Sequence, residues 1–151
     1  MPKHFALTRQ VNPPDVEPKI TLEQLWKGLE LKVAHPELYL SMVTGADLST
    51  EGEKTVRKMT TKSGVVVQEY ISQYEGTMVY FDGVDTEFRV TNTISYDQNN
   101  QLLLTFSFVG GVPGQPGYAE KSTHEELNKV VGNVIQKTID LVRESVQKGS
   151  L

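Results

Sequence analysis

The chain has 151 residues, 38% of them hydrophobic, with 15 Lys and Arg against 19 Asp and Glu for a formal charge of −4. That length suits one domain with a sizeable core. The acidic balance argues against a general nucleic-acid binder, which needs surplus cations to displace counterions from phosphate. The chain has no cysteine, which excludes disulfides, thiol catalysis and thiolate metal sites. It has no apolar run of about 18 residues and no apolar signal segment behind Met1-Pro2-Lys3-His4, so neither a transmembrane helix nor membrane association is expected. The expectation is a cytoplasmic protein in which residues 1–151 form one domain.

In chain order, Lys3–Val11 reads as a strand, with Phe5, Leu7 and Val11 on one side and His4, Thr8 and Gln10 on the other. Asn12-Pro13-Pro14 ends it, because proline has no N–H to give a sheet ladder. Thr21-Leu22-Glu23-Gln24 has the form of a capping box and places a helix start at Thr21. Leu22, Leu25, Trp26, Leu29 and Val33 then make one apolar stripe. His35-Pro36 interrupts it, and Pro36-Glu37-Leu38 opens a second short helix.

From about Glu53 to Gly111 the pattern alternates, and turn signals divide it at Ser63-Gly64, Glu75-Gly76, Asp82-Gly83 and Asn99-Asn100. The predicted strands are Lys54–Lys62, Val65–Tyr74, Thr77–Asp82, Thr86–Tyr96 and Leu102–Val109. Links this short force antiparallel neighbours. With a candidate strand on either side of the helices, the sheet has six or seven strands. Residues 110–117, rich in Gly and Pro, form a loop. Ser122-Thr123-His124-Glu125-Glu126 contains two overlapping capping boxes. A long helix follows, carrying Leu127, Val130, Val131, Val134, Ile135, Ile139, Val142 and Val146 on one stripe and ending near Gly149.

A sheet of this size must be covered on one face, and only the C-terminal helix is long enough to do so. A twisted sheet curving around that helix leaves a space between them. The order of elements, α+β throughout, resembles the helix-grip fold. It resembles the START-like (SRPBCC) superfamily. Thr21–Leu29, His35-Pro36-Glu37-Leu38, Val90-Thr91-Asn92-Thr93-Ile94-Ser95 and Leu104-Thr105-Phe106-Ser107-Phe108 are similar to one small branch, which includes proteins encoded in acetylaranotin-type natural-product clusters. The resemblance implies a cavity for a hydrophobic or carbonyl-rich small molecule, and either cofactor-free cyclase or dehydratase activity or simple carriage of a ligand. A monomer or weak homodimer is expected.

Glu69 is the leading catalytic candidate. It lies in phase with Val65, Val67 and Ile71, so an inward-facing strand would put a carboxylate in an apolar pocket and raise its pKa. A three-residue loop at Lys62-Ser63-Gly64 would set Arg57 opposite Glu69, since both lie six residues from Ser63; a two-residue loop would set Lys58 there. The alternative is an exposed cross-strand ion pair. Asn92, in phase with Phe88, Val90 and Ile94, is a candidate ligand for a carbonyl or enolate oxygen, or an amide satisfied by the backbone. Val67, Phe88, Val90, Phe106, Val131 and Ile135 are expected to wall the cavity. Tyr80 is a candidate hydroxyl donor whose face depends on the turn at Glu75-Gly76, and Tyr118 is a candidate lid residue. His124-Glu125-Glu126-Leu127-Asn128 lacks the second His of a zinc-protease motif. Asp82, Asp85 and Glu87 lack calcium-loop spacing, so no metal is expected. No phosphate loop and no Gly-x-Ser-x-Gly turn occurs.

Overall fold

The computed structural model describes residues 4–151. Lys3, the expected first residue of the first strand, lies outside them. Seven strands form one antiparallel sheet: β1 (Phe5–Gln10), β2 (Val43–Glu51), β3 (Lys54–Thr61), β4 (Val66–Tyr74), β5 (Met78–Gly83), β6 (Arg89–Tyr96) and β7 (Leu102–Val109). Their spatial order is β1-β7-β6-β5-β4-β3-β2. This is an α+β helix-grip arrangement, with the open sheet curving around the helices. No helix among the described residues is long and apolar enough to cross a membrane.

Helix α1 (Leu22–Ala34) starts where its capping box requires. The Thr21 hydroxyl accepts from the Gln24 N–H at 3.1 Å and the Gln24 side chain accepts from the Thr21 N–H at 2.9 Å. Pro36–Leu38 follows as a single 3-10 turn. Of the two overlapping boxes near residue 123, the one from Thr123 to Glu126 forms, opening α2 (His124–Val130). The Ser122 hydroxyl instead donates to the Tyr118 carbonyl at 2.8 Å.

The expected unbroken C-terminal helix is bent. Helix α2 ends at Val130 and α3 (Gly132–Gln147) continues beyond Val131. The cause lies far away in sequence. Arg9, on β1, donates to the Asn128 carbonyl at 2.6 Å and to the Asn128 side chain at 2.8 Å. That carbonyl is the one a regular helix would offer to the Gly132 N–H. Gly132 permits the approach, since a Cβ there would lie 1.9 Å from an Arg9 nitrogen.

Beyond the bend, Arg143 of α3 donates to the Pro18 carbonyl at 3.1 Å and to the Val11 carbonyl. It thereby fastens the link between β1 and α1 to the helix. Helix α3 packs against α1, β1 and β7. It therefore covers one side of the sheet and not the β3–β4 side.

The buried side chains divide accordingly. The main core joins α1, α2, α3 and strands β1 and β4–β7, with Leu25, Leu29, Phe81, Leu104, Phe106, Ile135 and Ile139 at its centre. A small separate cluster of Val43, Met59 and Val67 belongs to β2–β4.

The crossing of α1 and α3 depends on Gly28, where an added Cβ would sit 2.3 Å from Val142 Cγ2. Val142 is fully buried and β-branched, so it has little room to move. Overpacking of about 1–3 kcal/mol should outweigh the roughly 1 kcal/mol that alanine gains over glycine in a helix. Gly28→Ala is expected to lower stability in denaturant unfolding. Adding Val142→Ala should make the Gly28→Ala change less harmful than it is alone, which a double-mutant cycle measures.

Candidate functional site

A cavity of about 300 Å³ occupies the space between the two clusters. Its walls come from nearly every element. Strands β3 and β4 contribute Arg57, Met59, Thr61, Val67 and Glu69, and β5–β7 contribute Phe81, Val90, Phe106 and Phe108. The helical side supplies Lys32, Val130, Val131 and Val134. Residues Val112, Pro113, Gln115 and Tyr118 of the Gly-Pro loop and Leu40, Met42 and Val43 complete the lining. The loop reaches the opposite rim, where the Gln115 amide lies 2.9 Å from Met42 Sδ.

At one end of this apolar space sits a charged cluster. The loop at Lys62-Ser63-Gly64 is the three-residue one, so Arg57 stands directly opposite Glu69. Arg57 Nε donates to Glu69 Oε1 at 2.8 Å, and Nη2 lies 2.7 Å from the same oxygen. Each residue is only 2% exposed, so the pair is not a surface ion pair. Arg57 Nη1 donates to the Lys32 and Val33 carbonyls at 3.3 and 3.1 Å. These belong to the last turn of α1, whose carbonyls have no intrahelical partners and whose dipole favours a cation. All three guanidinium nitrogens are thus engaged, and the guanidinium also lies over the Phe81 ring at 4.8 Å. Arg57 holds Glu69 in place and has little donor capacity left for anything else.

Lys32 is the residue that sequence reasoning missed. It is 5% exposed. Its Nζ donates to Asn92 Oδ1 at 3.1 Å and lies over the Phe106 and Phe81 rings, at 4.7 and 5.3 Å from their centroids. A signal was present in the sequence: Lys32 follows Leu25 and Leu29 at seven and three residues, on the stripe that faces the core. Desolvation, reinforced by repulsion from Arg57 and opposed by attraction to Glu69, lowers its pKa from 10.5 to about 7. Burial pushes the Glu69 carboxyl above its ordinary value. The Arg57 guanidinium, through its charge and its hydrogen bond, and then the Lys32 charge pull it back.

The other expected site residues fall into two groups. Val67, Val90, Phe106, Val131 and Tyr118 line the cavity as expected. Four others do not. Asn92 is buried behind the wall, where Lys32 covers it, and its Nδ2 has no hydrogen-bond partner. Ile135 is a fully buried core residue.

Tyr80 points to the outer face. The loop at Glu75-Gly76-Thr77 pairs Tyr74 with Met78, which turns Val79 and Phe81 inward. Tyr80 instead packs edge-on against Tyr74 and lies under Arg89. Phe88 precedes β6 and lines a separate shallow hollow with Val65, Val66 and Pro116. The Gly-Pro loop divides that hollow from the cavity, since a Cβ on Gly114 would lie 3.2 Å from Val67. Asp82, at the nearby turn, accepts from Arg89.

Residues 5–149 match the family model described as acetylaranotin biosynthesis cluster protein L, and the chain belongs to that family. No curated protein matches it. Solved structures of similar fold include the di-domain aromatase/cyclase StfQ of the steffimycin biosynthetic pathway, with 11% identity and a TM-score of 0.62 over 99% of this chain and 52% of that one. They also include the di-domain aromatase/cyclase BexL of the BE-7585A pathway, with 12% identity and a TM-score of 0.54 over 94% of this chain and 50% of that one. The chain therefore spans about half the length of these two di-domain proteins. The Zhui aromatase/cyclase of Streptomyces sp. R1128 is 15% identical with a TM-score of 0.57, over 95% of this chain and 94% of that one. At these identities the likeness is one of fold.

The Lys32 environment makes stability depend on pH. The folded chain holds this proton less tightly than the unfolded chain, whose lysine titrates near 10.5. Between about 7 and 10.5 the unfolded state binds the extra proton, so stability rises with pH across that window and is lost as pH falls through 7. The contribution of Lys32 has a steepest slope of about 1.4 kcal/mol per pH unit. Lys32→Met should remove that contribution, giving a smaller rise than wild type when urea unfolding is compared at pH 7 and pH 10.

Proposed function

We propose that the chain is a ligand-binding domain that acts without a cofactor on a flexible, carbonyl-rich intermediate of natural-product biosynthesis, promoting its cyclisation or dehydration. The observation that carries this reading is Glu69: a carboxyl group, buried and fixed through one oxygen by Arg57, on the wall of an otherwise largely apolar cavity. Membership of a biosynthesis-cluster family and a fold similar to that of aromatase/cyclases support the same substrate class.

In this reading the apolar walls fold a flexible chain so that its reacting carbons meet, which can lower a barrier by about 7–11 kcal/mol in ideal cases. Both Arg57 bonds fall on Oε1. That leaves Oε2 to remove a proton from an acidic carbon and to return one to a departing hydroxyl. A carboxyl lifted above its ordinary pKa is suited to both steps near neutrality. Arg57 acts as a positioning residue. Tyr118 and Gln115, on the loop that lines the cavity, help to exclude water.

A second reading, a carrier or sensor of a hydrophobic molecule, draws on the near-complete engagement of Arg57 within the protein. In that case the ion pair only braces the wall. The two readings part on conversion. Native mass spectrometry of the purified protein would identify a co-purified ligand, and flexible polycarbonyl chains would then be incubated with it and followed by liquid chromatography and mass spectrometry. Glu69→Gln keeps an oxygen for Arg57 and is expected to slow conversion by about 10²–10⁴-fold, with ligand binding and fold retained. Full activity in that variant would remove Glu69 from the chemistry. A ligand returned unchanged by wild type would favour the carrier.

A further inference from the structure

The charged cluster does not balance. It contains two cations, Lys32 and Arg57, and one carboxylate. Glu69 is committed to Arg57, with both contacts on a single oxygen. Lys32 Nζ has only a neutral amide oxygen and two ring faces. Beside it, Asn92 Nδ2 is buried with no acceptor. Of the two, only Lys32 lines the cavity, so what the site itself lacks is one negative charge.

We infer that Lys32 is an anion site, and that the cavity takes an otherwise apolar ligand bearing one acidic oxygen, of a carboxylate, enolate or phenolate, which pairs with the Lys32 ammonium. This rests on the reading of the cavity as a ligand site and specifies the ligand's chemistry. The charged groups facing Lys32 are Arg57 on β3 and Glu69 on β4. Strands β5, β6 and β7 present Phe81, Asn92 and Phe106, and the C-terminal helical segment presents Val131 and Val134 to the cavity. Among the described residues no other anion lines the cavity, so an anion is expected to come with the ligand. The two aromatic faces offset only part of the cost of burying the ammonium. An anionic oxygen at Nζ would restore the balance.

Such binding is linked to protons. With Lys32 titrating near 7 in the free protein, capture of an anion above that pH draws in a proton. Affinity for an anionic ligand should fall by up to tenfold per pH unit above about 7, and affinity for a neutral one should stay level. Octanoate and 1-octanol share a chain and differ in charge, which makes them suitable probes. Isothermal titration of the whole chain at pH 6.5, 7.5 and 8.5 is expected to show octanoate binding at least tenfold tighter than octanol at the lowest pH, with the advantage shrinking as pH rises. Lys32→Met should abolish the advantage and retain octanol. Equal wild-type affinities, a preference that does not change with pH, or one that survives Lys32→Met would overturn the anion site. Octanol binding without any octanoate preference would do so while leaving the cavity reading intact. Binding of neither probe would reject both.

Discussion

The arrangement depends on one buried guanidinium. Arg57 joins the sheet to the end of α1: two of its nitrogens hold Glu69 on the neighbouring strand, and the third holds the last carbonyls of the helix. Truncating either partner of such a pair is expensive, commonly 3–5 kcal/mol, because the survivor is left buried with no group to bond. The helix adds a further constraint. Its final carbonyls must find donors, and here they find them in the sheet rather than in water. The position of Lys32, in the last turn of α1, follows from that contact.

The cavity is a consequence of where α3 can lie. Arg9 bends the C-terminal helix by occupying the Asn128 carbonyl, Gly28 lets α1 approach Val142, and Arg143 ties α3 to the link behind β1. Each contact draws the helix toward β1 and β7. The β3–β4 side is then left to small groups such as Val43, Met59 and Val67, which form their own cluster without meeting the main core. A loop rich in Gly and Pro lines the remaining side. The hollow thus follows from contacts among residues that do not themselves line it.

Much of this was legible in the residues, and the rest was hidden for identifiable reasons. Capping boxes, turn dipeptides and two-residue alternation act locally, so the strands and the start of α1 could be read directly, while Arg57 opposite Glu69 was one of two registers that the turn at Lys62-Ser63-Gly64 allowed. Faces that depend on a turn length could not be resolved for Tyr80, because one added loop residue inverts the whole strand. Phe88 kept the right phase but lies beyond the loop that closes that end, a tertiary fact with no local trace. The helix bend requires Arg9, more than a hundred residues from Asn128. Lys32 was overlooked for another reason: a lysine on a helix is ordinarily solvated, and its place on the stripe of Leu25 and Leu29 had to be weighed against that expectation.

That misplaced lysine is also the strongest sign of function. An ion pair bracing a wall needs Arg57 and Glu69 and nothing more. Leucine at position 32 would extend the apolar stripe, fill space beside Phe81 and Phe106, and remove the repulsion that Arg57 imposes. Lysine there makes no ion pair among the described residues, and its ammonium is held only by one amide oxygen and two ring faces. Burial of a charge without an ionic partner opposes folding, so Lys32 destabilises the empty protein. A structural role would require the reverse. The frame is shared with aromatase/cyclases at 11–15% identity, but a frame does not specify chemistry. What distinguishes this cavity chemically is the charge at its end that no anion among the described residues compensates.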